Sequence, residues 1–264
     1  MYSTTYHKPA SIEDAIAALN GGEDTKILAG GQTLIATMKQ HLAAPSDLVD
    51  IRAIGGMSGI SAAGGALTIG AATTHAEVAS SAEVKSLCSA LCDLAGGIGD
   101  PAVRHQGTIG GSLANNDPAA DYPAAILALG ATIKTNTREI AALDFFDGLF
   151  TTALEENEII VSISIPVPQK AAYAKFPQPA SRFALVGVFV AQTDDGVRVA
   201  VTGAGEDGVY RHQGLEEALG SNWSASAAAG VPISPDGLMS DLHGTAAYRA
   251  NLIGVMAKRA VAAT

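Results

Sequence analysis

A chain of 264 residues is long enough for a sizeable core in one large domain or two modest ones. Its 16 basic residues stand against 26 acidic ones, a formal charge of −10 and a pI of about 4.9, which excludes nucleic acid and anionic membrane surfaces as natural partners. Apolar residues make up 48%, many of them alanine, and the longest apolar run, Phe183 to Ala191, falls far short of the roughly 20 residues of a spanning helix, so no transmembrane segment is expected.

In chain order, Met1 to Pro9 hold no apolar signal core, and a cytoplasmic protein is expected. Ser11-Ile12-Glu13-Asp14 resembles a capping box with Asp in the Glu position and opens an amphipathic helix that Asn20-Gly21-Gly22 stops. Lys26 to Ala29 reads as a short buried strand. It runs through Gly30-Gly31-Gln32-Thr33 into a helix over Leu34 to Leu42, with Leu34, Ile35, Met38 and Leu42 on one face. Strand, glycine turn and helix aim several backbone N–H groups at one point, which suits a phosphate. Leu48 to Ile51 is a strand. Ile60 to Ala62 and Leu67 to Gly70 form a hairpin through Gly64-Gly65. Thr74 to Glu77 begins a helix, in which His75 reads as a packing or capping residue. Val84 to Leu94 is another helix, carrying Cys88 and Cys92 on one face. Buried structural thiols are the favoured reading of that pair, because an iron–sulfur cluster requires four thiolates.

Thr108-Ile109-Gly110-Gly111-Ser112 through Asp117-Pro118-Ala119-Ala120-Asp121 is poor in bulky side chains. It reads as a loop whose N–H groups at Gly110, Gly111 and Ser112 need an outside partner, an anion or a cofactor. An apolar helix from Tyr122 to Leu129 follows, then strands at Ala131 to Asn136 and Ile159 to Ile165. Beyond residue 170, strands at Tyr173 to Phe176, Ala184 to Gln192 and Val197 to Thr202 predict a small antiparallel sheet. A final helix spans Ala246 to Ala262. Neither glycine turn is a Walker loop or a Rossmann fingerprint, so triphosphate hydrolysis and ordinary NAD binding lose weight. Either turn alone is as readily structural; as a pair they suit the two phosphates of a dinucleotide. His105, His212 and His243 have no metal-like spacing, and neither a metal site nor a catalytic triad is expected.

At this pair the sequence resembles the FAD-binding medium subunits of molybdenum hydroxylases, the group of the carbon monoxide dehydrogenase medium subunit and the xanthine dehydrogenase flavin domain. The resemblance rests on Ala29-Gly30-Gly31-Gln32-Thr33-Leu34-Ile35, on Gly107-Thr108-Ile109-Gly110-Gly111 with Asp117 to Asp121, and on Glu158-Ile159-Ile160. Tyr173-Ala174-Lys175 and the tail Ser240 to Arg249 complete it. It implies an α+β protein with a two-subdomain FAD-binding fold of the vanillyl-alcohol-oxidase (PCMH) type. Residues 1–169 would form the FAD-binding domain, divided near residue 54, and 170–264 a C-terminal domain of a small antiparallel sheet and helices.

Carried over by position, Lys26, Ile27, Leu28, Ala29, Gly30, Gly31, Gln32, Thr33 and Leu34 would wrap the pyrophosphate and adenosine side of FAD. Ile98 and Gly99 would line the cofactor, and Thr108, Gly110, Gly111 and Ser112 would contact the diphosphate and ribityl chain. Asp121 would bond the ribityl or flavin end, Ile160 would back it, and Lys175 would lie near the isoalloxazine. Phe183 stands where relatives place a tyrosine beside the ring. Arg182 stands where many have an acidic residue, facing either the flavin edge or solvent. The same resemblance implies an electron-transfer role between partners: a small subunit with [2Fe-2S] clusters and a large subunit with molybdopterin, in a dimer of heterotrimers. A self-sufficient FAD-dependent oxidoreductase of the same fold is the alternative, and a scaffold whose glycine turns bind nothing is the next.

Overall fold

The computed structural model describes residues 2–264. The first sheet is built from β1 (Thr5–His7), α1 (Ile12–Leu19), β2 (Thr25–Leu28), α2 (Leu34–Lys39) and β3 (Asp47–Asp50), and its order is β1-β3-β2 with both pairings parallel. The Ser11 side chain accepts the Asp14 N–H, which starts α1 as expected. Parallel strands deliver their C-terminal ends to one edge, where open sheets bind ligands. The expected helix to Leu42 ends three residues early. His41 takes a φ of +62°, and Leu42 is exposed rather than on a buried face.

The second unit holds β4 (Ile60–Ala63), β5 (Ala66–Gly70), α3 (His75–Ser80), α4 (Ala82–Leu87), α5 (Ser89–Gly96), α6 (Pro101–Arg104), α7 (Ile109–Asn115), α8 (Tyr122–Leu129), β6 (Thr132–Thr135), β7 (Glu139–Ala141) and β8 (Ile160–Pro166). Its five strands lie in the order β4-β5-β8-β6-β7, all antiparallel. Thr74 and Glu77 make a full capping box at α3. The single helix expected over Val84 to Leu94 is broken at Cys88, whose φ of −155° and ψ of 76° are not helical, so the two cysteines do not share a face. Ser and Cys are indifferent helix formers. The break re-aims the chain so that Val84 and the Leu91–Leu94 side of α5 are both buried. Every residue of α8 is buried, and Gly130 ends it at a φ of +62°.

The third unit is β9 (Lys170–Pro177), β10 (Ala184–Thr193), β11 (Gly196–Gly205), β12 (Gly208–Arg211), α9 (Gln213–Ser221), α10 (Ala225–Ala229) and α11 (Ala246–Ala262), with an antiparallel sheet in the order β12-β11-β10-β9. Strand β10 is buried almost throughout because α8 packs on one side of the sheet and α11 on the other. The core of the second unit runs on into Phe189, Ala191 and Ala200 of the third, so the two share one apolar interior. Among the described residues no helix is long and apolar enough to cross a membrane.

Candidate functional site: a cradle for a dinucleotide

A cavity of about 490 Å³ opens where the ends of β2 and β3 meet α7 and the loop before β10. That is an ordinary size for a cofactor site. Of the residues expected from the sequence, Lys26 to Leu34, Ile98, Gly99, Thr108, Gly110, Gly111, Ser112, Asp121, Ile160 and Phe183 all line it. Lys175 does not.

The β2–α2 turn supplies the polar floor. Among the described residues, the backbone N–H groups of Gly30, Gly31, Gln32 and Thr33 find no acceptor within the chain. Gly31 has a φ of +69°, the left-handed region that glycine enters without cost. Gly30 has a different reason: a Cβ there would overlap the Gln106 carbonyl oxygen and lie 2.6 Å from Gly107 Cα. Four open donors at the end of a parallel strand form an anion-binding concavity.

The second glycine turn is not the loop expected. Ile109–Asn115 is the helix α7, capped by the Thr108 hydroxyl, which accepts the Gly111 N–H at 3.1 Å. Gly110 N–H donates to Ala71 O at 2.8 Å and Ser112 N–H to Thr108 O at 3.0 Å, so none of these three groups waits for an outside anion. The glycines serve packing instead. A Cβ on Gly110 would meet Ala71 Cβ at 2.6 Å, and one on Gly111 would meet Thr108 Oγ1 at 2.9 Å. The helix therefore lies close against the residues after β5 and offers the cavity a smooth, small-residue wall.

Asp121 and its partners close the opposite end. Its buried carboxylate accepts the Tyr173 hydroxyl at 2.5 Å and the Lys175 ammonium at 3.0 Å. Burial pushes the Asp121 carboxyl up, while Lys175 and the Tyr173 hydroxyl pull it back. Gly187 pairs with Lys175 across the sheet, and a side chain there would strike the Tyr173 hydroxyl. Lys175 Nζ also donates to Gly97 O at 2.9 Å and Arg182 O at 3.0 Å. Its acceptors thus come from three segments that flank the cavity. Arg182, at a φ of +62°, and Phe183, 47% exposed, form the rim. Arg182 both lines the mouth and meets solvent.

Sequence reasoning missed Glu158 and His75 as cavity residues. Glu158 accepts bonds from Thr135, Thr137, Arg138 and Glu155 N–H, and Arg138 with these donors holds its pKa down at about 2. His75 is buried at the start of α3, with its N–H on Gly107 O at 2.9 Å. A helix-start histidine carries no local signal for such a place.

Residues 2–168 match the family described as "FAD binding domain in molybdopterin dehydrogenase". The chain is also 34% identical to the carbon monoxide dehydrogenase medium chain of Afipia carboxidovorans, across 98% of this chain and 96% of that one. It belongs to this family. The nicotine 6-hydroxylase medium subunit of Paenarthrobacter nicotinovorans is likewise 34% identical, over 97% and 95% of the two chains. Among solved structures, reconstituted carbon monoxide dehydrogenase from Oligotropha carboxidovorans superposes with a TM-score of 0.91 at 33% identity, covering 98% of this chain and 96% of that chain. Quinoline 2-oxidoreductase from Pseudomonas putida does so at 0.90 and 29%, covering 99% and 96%. The cavity fits the family's cofactor on its own terms, with free N–H groups for a diphosphate at one end and apolar walls from Ile98, Leu154, Ile159 and Ile160.

Proposed function

We propose that this chain holds FAD in the cavity between its three sheets and serves as the electron-transfer medium subunit of a multi-subunit molybdenum hydroxylase. The observation that carries this reading is the set of open N–H groups at Gly30 to Thr33, set at one end of the cavity of about 490 Å³. Bound FAD supplies the redox chemistry, and the protein supplies binding, orientation and shielding. Ala29 to Thr33 would take the diphosphate. Thr108, Gly110, Gly111 and Ser112 would form the close wall along the ribityl chain, and Asp121 would stand at the flavin end. Ile98 and Ile160 would back the ring, with Phe183 at its exposed edge.

Residues 1–54 and 55–169 would form the two halves of the clamp, and 170–264 the part that completes the flavin end. The partners would be an iron–sulfur small subunit and a molybdopterin large subunit, as a dimer of heterotrimers in the cytoplasm. Substrate chemistry would then lie outside this chain, which agrees with its two buried cysteines, Cys88 in the break between α4 and α5 and Cys92 within α5. The test is reconstitution. The purified chain should take up FAD with the flavin's visible bands and should not turn over a small substrate alone. A chain that never takes up flavin overturns the reading.

A further inference from the structure

We propose that His75 is a neutral hydrogen-bond donor to the bound dinucleotide, its Nε2–H directed into the cavity beside Gly107 and its sealed Nδ1 the unprotonated nitrogen. This rests on the FAD reading above and assigns the cavity a binding residue outside the glycine turns.

His75 is 5% exposed and Tyr122 is fully sealed, yet His75 Nδ1 and Tyr122 Oη are both buried without a hydrogen-bond partner. Leaving such atoms unpaired is costly, so each asks for a reason. The rings are in contact, with centroids 5.3 Å apart and planes tilted by 41°. A buried N–H with no acceptor is rarer and costlier than a buried lone pair with no donor, so Nδ1, which has no partner within hydrogen-bond reach, is the nitrogen left bare. A proton on Nδ1 would be stranded there with no acceptor. With Nδ1 bare, the single proton of the neutral ring sits on Nε2. That nitrogen lies beside Gly107, where a Cβ would be 2.6 Å from it, and the residue forms part of the cavity wall. Burial and the nearby Arg104 charge hold the His75 pKa at about 4, so the ring is uncharged at neutral pH. The cavity therefore receives an N–H donor that brings no charge, matched to an oxygen of the dinucleotide.

The experiment is FAD titration of the flavin-stripped chain, as wild type, His75→Phe and His75→Gln, together with nitrogen NMR of the histidine rings. Gln keeps an N–H near the Nε2 position and Phe does not. The expectation is about tenfold weaker FAD binding for His75→Phe, the size of one hydrogen bond, and recovery of most of it in His75→Gln. The wild-type spectrum should show protonated Nε2, unprotonated Nδ1 and an Nε2 shift on adding FAD. Unchanged affinity in His75→Phe, or a proton on Nδ1 in the FAD-bound protein, overturns the inference and leaves the FAD reading standing. Failure of the wild type to bind FAD overturns both. If His75→Phe does not fold, the wild-type spectrum and His75→Gln still decide.

Discussion

A methyl group on residue 30 would overlap the Gln106 carbonyl, and backbone cannot swing aside as a side chain can. Gly30→Ala is therefore expected to lose most of its flavin and to melt below wild type, checked by flavin absorption per chain and by thermal unfolding. Lys175 calls for a different expectation. With Lys175→Met, the buried Asp121 carboxylate loses its cation and the Gly97 and Arg182 carbonyls lose their donor. Removing one partner of a buried pair costs about 3 kcal/mol. The double variant Lys175→Met, Asp121→Asn should recover part of the melting temperature lost by the single one. At this scale the first glycine turn was legible, because an open turn between strand and helix leaves donors free whatever lies around it. The second was not: Gly110 is small because Ala71 presses on it, a contact 39 positions away that no local pattern reports.

Elements were read well where one physical rule acted alone. Strand β8 alternates buried isoleucines with serines up to Pro166, β10 is an apolar run that ends at polar residues, and α8 is apolar all round because it is buried all round. The errors fell where two rules competed. Thr108-Ile109-Gly110-Gly111 has poor helix propensity but an N-cap and a packed neighbour, and packing won. Cys88 sat in a helical pattern, and burial on both sides of it broke the helix. That break leaves both thiols buried and inert, with burial pushing Cys88 up to about 11. A thiol reagent at pH 8 should find neither in the native protein and both after denaturation. The β6–β7 hairpin depends on Glu158. Its folded pKa of about 2 lies below the ordinary 4.5, so its contribution is complete above pH 4.5 and is lost as pH falls toward 2. Acid unfolding monitored by circular dichroism should show Glu158→Gln less stable by about 2 kcal/mol at pH 7 and less sensitive to pH within that window.

For the molecule as a whole, the three sheets were visible in outline from parallel-strand, hairpin and antiparallel patterns. Their mutual placement was not, since it depends on contacts such as those from Lys175 to Gly97 and Asp121 that lie 78 and 54 residues apart. The proposed complex predicts that the chain, expressed with its native neighbours and isolated by affinity purification, brings an iron–sulfur and a molybdopterin subunit with it. Isolation as a lone monomer would argue for a free-standing flavoprotein. The family match ends at residue 168, yet Lys175 ties together three segments around the cavity without being part of its wall. The cavity is therefore complete only with the segment after the matched region in place. Ser181, Arg182 and Phe183 of the cavity wall also lie beyond residue 168, so a chain cut there is expected to hold FAD poorly, which flavin absorption per chain checks. Cofactor retention thus reports on a part of the chain that the cofactor-binding family match does not include.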